Sequence, residues 1–126
     1  MKHEASGFID KAMSDLMAMD IFRSHEIYPK DALCFHAQQY AEKMIKAKLI
    51  EMGIRPPKIH NLLELLKFFP ESPDILRATE VAGILELYAV NVRYPNIEMN
   101  AISADDADIA YESAIEIPYL IGLYQR

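Results

Sequence analysis

One cysteine, four glycines and no long apolar run characterise this 126-residue chain, and each scarcity removes a class of function. The lone Cys34 excludes an intrachain disulfide and a cysteine-rich zinc site. The four glycines fall in no phosphate-cradling loop of the Rossmann or P-loop kind. No apolar run approaches the roughly 18 residues of a membrane span. The N-terminal MKHEASGFIDKAM carries acids and no apolar core, so no secretory signal is expected and a cytoplasmic location is the default. Metal ligation also lacks a pattern. His3, His25, His36 and His60 share no H-x-x-x-H or H-x-x-E spacing, and Asp105, Asp106 and Asp108 read as capping acids of a helix. Neither a metal nor a cofactor is expected.

What is present is helical periodicity. The stretch CFHAQQYAEKMIKAKL, Cys34 to Leu49, has no Gly or Pro and few β-branched residues. Leu33, Ala37, Tyr40, Ala41, Met44 and Ala47 recur at steps of three or four, and Phe35, Ile45 and Leu49 widen the arc. So wide an apolar face predicts the central helix of a bundle, over about Lys30 to Met52, with Gly53 as its C-terminal cap. Cys34 on this helix reads as a buried thiol rather than a nucleophile.

The other elements follow in order. The first helix is expected from about Ala5 to Arg23, with Ile9, Ala12, Met13, Leu16 and Met19 inward and Asp10, Asp15 and Asp20 off that face. Pro29 separates it from the second. A stiff turn, Ile54 to Lys58, carries Pro56 and Pro57. A short helix, Asn61 to Phe69, is capped by Asn61 or His60. The fourth runs from Pro73 or Asp74 to Val92, with Ile75, Ala78, Val81, Ala82, Leu85, Tyr88, Ala89 and Val92 as its core face. Tyr94-Pro95 ends it. The fifth opens with Ser103 as N-cap and Asp106 three residues on; Ala107, Ala110, Ala114, Ile117 and Ile121 form its buried stripe. Pro118 should kink or divide it. The expectation is all-α: one domain over residues 1–126, an up-and-down bundle of four to five helices.

Charge is uneven within a net −6. Residues 40–67 carry six cations and three acids, net +3; residues 68–126 carry three cations and ten acids, net −7. A phosphate-bearing ligand would therefore be sought near the second helix and the loop after it. On that helix His36, Gln39, Lys43 and Lys46 form a polar stripe, which is either a solvated edge or the floor of an anion-binding groove. His60 follows the double-proline turn at the start of a helix, where it either caps or meets an anion. Arg93, before Tyr94-Pro95, either satisfies helix carbonyls or reaches into a groove, where bidentate phosphate contact is its usual use.

Taken together, the amphipathic first helix, HAQQYAEKMIKAKL (His36 to Leu49), KIHNLLELL (Lys58 to Leu66) and Arg93-Tyr94-Pro95 resemble a HEPN domain (higher eukaryotes and prokaryotes nucleotide-binding). The resemblance implies a helical bundle, commonly a homodimer with a polar groove. It also implies a small nucleotidyltransferase as partner, often in a toxin–antitoxin pair. Ribonuclease members carry an Arg-x4–6-His motif after the penultimate helix, and need no metal. Here the positions four to seven residues after Arg93 are Ile97, Glu98, Met99 and Asn100, so that motif is not intact. Arg55 and His60 have the spacing but fall in the earlier turn. The leading expectation is a nucleotide-binding module, its groove lined by Lys43, Lys46, His60, Arg93 and Tyr94. The alternatives are a ribonuclease using Arg93 with His60, and a dimerising interaction protein without catalysis. RNA is thus a possible ligand; a membrane is not an expected partner.

Overall fold

A computed structural model of the chain describes the backbone of residues 2–93 and 102–125 and the side chains of residues 4–89 and 102–125. Five helices make it up: α1 (Lys2–Arg23), α2 (Lys30–Glu51), α3 (Leu62–Leu66), α4 (Pro73–Arg93) and α5 (Ala104–Leu120). Among the described residues there is no strand, so the fold is all-α.

The broad apolar arc of α2 makes it the hub, and it packs against α1, α3, α4 and α5. Leu33, Cys34, Ala37, Ala41, Met44, Ile45 and Leu49 are all fully buried along it. Truncating one of the large ones, such as Met44→Ala, costs roughly 2–5 kcal/mol through lost contact and the cavity left behind. Burial also pushes the Cys34 thiol up to about 12, which keeps it an inert core group. Contacts fix the helix directions. Phe22 near the end of α1 stacks on Tyr28 just before α2, while Ala5 packs with Ala47 and Ile50 at its far end. On α5, Tyr111 donates to Asp20 of α1 and Tyr88 of α4 donates to Asp106. The four long helices thus alternate in direction, with α3 as a short strut between α2 and α4.

The ends are set by local chemistry. Gly53 and Gly122, both at positive φ (80° and 81°), follow the C-caps of α2 and α5. Each closes a Schellman motif: Ile54 N–H donates to Leu49 O (2.9 Å) and Leu123 N–H to Pro118 O (2.9 Å). Ser103 and Asp106 form the expected capping box at the start of α5.

Several expectations need correction. α3 is a single turn, because Asn61 caps it from outside and its last carbonyls close in tight turns to Lys67, Phe68 and Phe69. Asn61, accepting from Glu64 N–H, is the cap; His60 is not. α5 runs through Pro118 to Leu120 instead of dividing there. Little helix remains beyond the proline to be displaced, and the buried ring sits in the core. Met13 is 42% exposed, and Asp15, expected off the apolar face of α1, is buried. Residues 94–101 lie outside the described residues.

Candidate functional site

Buried polar side chains concentrate on one seam of α2. Gln38, Glu42 and Lys46 stand at successive steps of four, so they share a face, and all three are buried. Gln38 donates through Nε2 to the carbonyl of His60 (2.9 Å) and, more weakly, to Glu86 Oε2 on α4 (3.4 Å). Glu86 Oε2 in turn accepts the Leu62 N–H in the first turn of α3 (2.9 Å). His60 is therefore held from both sides, by Gln38 on its carbonyl and by the anchored start of α3.

The ring of His60 leans back over Glu42. Its Nδ1 lies 3.1 Å from Glu42 Oε2, and with the carboxylate ionised Nδ1–H is the donor. The same oxygen accepts from Lys46 Nζ at 3.2 Å. The His60 side chain is 74% exposed while that of Glu42 is 7% exposed, so a buried carboxylate orients an imidazole that meets solvent. Glu42 Oε1 is buried and has no hydrogen-bond partner among the described residues. A buried carboxylate oxygen ordinarily has a hydrogen-bond partner, so this atom can still accept one.

Beside this seam a cleft of about 490 Å³ opens between the first turns of α1, the end of α2 and the double-proline turn. Positions 4, 7, 8 and 11 of α1 lie on one helical face and supply Glu4, Gly7, Phe8 and Lys11. Lys46 and Ile50 come from α2, and Arg55, Pro56, Pro57 and Lys58 from the turn. Four cations thus meet one acid there. The prolines fix the turn that presents Arg55 and Lys58, and Gly7, whose missing Cβ would meet nothing within 4 Å, keeps the wall open.

The structure does not bring all five expected residues together. Lys46 lines the cleft and His60 is tied to it through Glu42. Lys43 belongs to a separate cluster, with its Nζ 2.6 Å from Asp15 Oδ2, while His36 Nδ1 holds Asp15 Oδ1 at 2.7 Å. Arg93 closes α4 with its side chain outside the described residues, and Tyr94 lies wholly outside them. Phe8, Lys11, Arg55 and Lys58 in the cleft, and Glu42 and Glu86 in the seam, were not among the expected site residues. Spacing carried the signal for Glu42, which sits between Gln38 and Lys46. Glu86 joins from far along the chain, beyond the reach of any local pattern.

The HEPN domain model matches residues 5–121. The chain belongs to the HEPN family. No curated protein and no solved structure matches it. The all-α bundle is the fold that membership calls for, and Gln38, Glu42 and Lys46 of the HAQQYAEKMIKAKL stretch form the seam just described. Among the described residues of this HEPN domain, no group of three or more His, Cys, Asp or Glu is placed to hold a metal ion. No helix among them is long and apolar enough to cross a membrane.

Proposed function

We propose that this HEPN domain binds the phosphates of a nucleotide, free or carried by an adenylylated partner, in the cleft between α1, the end of α2 and the double-proline turn. The observation that carries the reading is the convergence of Lys11, Lys46, Arg55 and Lys58 on one cleft whose lining includes a single acid, Glu4, with Lys46 also paired to Glu42 in the seam. Its volume of about 490 Å³ suits a small ligand. Phe8, Ile50, Pro56 and Pro57 offer an apolar wall for a base or sugar while the cations meet the phosphates. In this reading the domain works as a homodimer beside a small nucleotidyltransferase, in a toxin–antitoxin-like pair. That assembly rests on the family resemblance. An apolar ridge on α1 supports the homodimer: Met13, Met17 and Ile21, at steps of four, are exposed.

Thermal shift with ATP tests the site. At 100 times its dissociation constant a ligand stabilises the native state by about 2.7 kcal/mol. The rise in melting temperature should disappear in Arg55→Ala and persist in Arg93→Ala. Loss in Arg93→Ala alone moves the site to the end of α4.

A second reading, metal-independent cleavage of RNA, is favoured by the Glu42–His60 pair. A buried carboxylate holding an exposed imidazole is an arrangement suited to proton transfer. Excess protein should then cut single-stranded RNA in the presence of a chelator, and His60→Ala should abolish the cut. Intact RNA under those conditions removes this reading.

A further inference from the structure

Lys46 belongs to both the cleft and the seam, and this double membership has a chemical consequence. In the seam, Glu42 Oε2 accepts from Lys46 Nζ (3.2 Å) and from His60 Nδ1 (3.1 Å), while Oε1 has no partner among the described residues. A phosphate in the cleft competes with Glu42 for the Lys46 ammonium. Once Lys46 turns to the phosphate, Glu42 keeps a buried negative charge, and a buried charge needs a paired partner. His60 is the group in place to provide it. Its Nδ1 already donates to Glu42, and a proton added at Nε2 makes the ring cationic without moving it.

We infer that the seam couples phosphate binding in the cleft to uptake of a proton on His60. This rests on the cleft being the phosphate site. The proton comes from solvent, and no covalent bond forms or breaks. The charged groups that line the cleft with Lys46 are Glu4 and Lys11 from α1 and Arg55 and Lys58 from the turn, and Glu86 of α4 reaches the seam through Gln38. Glu86 is already held by Leu62 N–H and Gln38. The cations of the cleft face the ligand. Among the described residues, Lys46 and His60 are the groups within ion-pair distance of Glu42.

Calorimetric titration with ATP at pH 7.5, in two buffers of different ionisation enthalpy, counts the protons. The coupling predicts uptake of roughly half to one proton per ATP bound. His60→Gln and Glu42→Gln should each reduce that number to near zero. Binding with no proton uptake overturns the coupling and leaves the cleft assignment standing. Uptake that survives in a folded Glu42→Gln shows that the phosphate charges His60 directly, which also overturns it. Absence of ATP binding contradicts the cleft and the coupling together. Should Glu42→Gln fail to fold, His60→Gln decides, since an exposed ring is replaced without opening the core. Uptake undiminished in that variant overturns the proposal.

Discussion

Lys43 and Lys46 stand three residues apart on α2 and look alike in the sequence, yet each is bound to a different carboxylate. Lys43 holds the buried Asp15, together with His36, whose ring sits against Phe22 and Phe35. Its role is to balance a charge that α1 carries into the interface with α2. Lys43→Ala leaves Asp15 with His36 alone. Because Lys43 and His36 are partly exposed, solvent offsets some of the loss, and the expected cost is about 1–3 kcal/mol in urea unfolding. ATP affinity should be unchanged in this variant; a lost affinity would return Lys43 to the ligand site. The stripe of His36, Lys43 and Lys46 was legible from spacing. Which acid each would meet was not, since Asp15 comes from another helix.

At the scale of the element, the start of α5 is the best-specified feature. Ser103 accepts the Asp106 N–H at 3.1 Å and the Asp106 carboxylate accepts the Ser103 N–H at 3.0 Å. Ser103→Ala should destabilise the domain by about 1 kcal/mol, read as a lower midpoint in denaturant. The hydrogen bond from the Ser103 backbone, then its side chain and the Tyr88 hydroxyl, hold the Asp106 carboxyl below its ordinary 3.8. A depressed carboxyl contributes stability above its unfolded pKa and loses it as pH falls through the folded one. Melting curves of the native protein and Asp106→Asn should therefore differ at neutral pH, and the gap should begin to close only as pH falls below about 4. A constant gap down to pH 2 would remove Asp106 from the account.

In α4, Gly83 is flanked by open space where a Cβ would sit. Gly83→Ala should raise stability by about 0.5–1 kcal/mol through helix propensity, again measured in denaturant. Caps, prolines and apolar spacing made the five helices readable in advance. The length of α3 was not, because the six leucines and phenylalanines between positions 62 and 69 do not reveal where one turn of helix gives way to tight turns.

Across the whole molecule, the uneven charge was visible as a net +3 over residues 40–67, and it pointed toward α2 and the turn after it. The cleft lies there. Its fourth cation, Lys11, and its aromatic wall, Phe8, come from α1, whose approach to the end of α2 no local pattern discloses. The same holds for the exposed ridge of Met13, Met17 and Ile21, since only the packed bundle shows which apolar residues stay outside. If that ridge forms the homodimer, Met17→Glu should turn a dimer into a monomer by light scattering, with the helical content retained. A wild-type monomer at tens of micromolar would contradict the dimer.

The central claim is the place where a nucleotide's phosphates bind, and amide chemical-shift mapping tests it most directly. A 14.4 kDa helical domain labelled with nitrogen-15 is well suited to it. On titration with ATP the account predicts the largest shifts at Gly7, Lys11, Lys46, Arg55 and Lys58. Shifts confined to α4 and α5, with the double-proline turn unmoved, would contradict it.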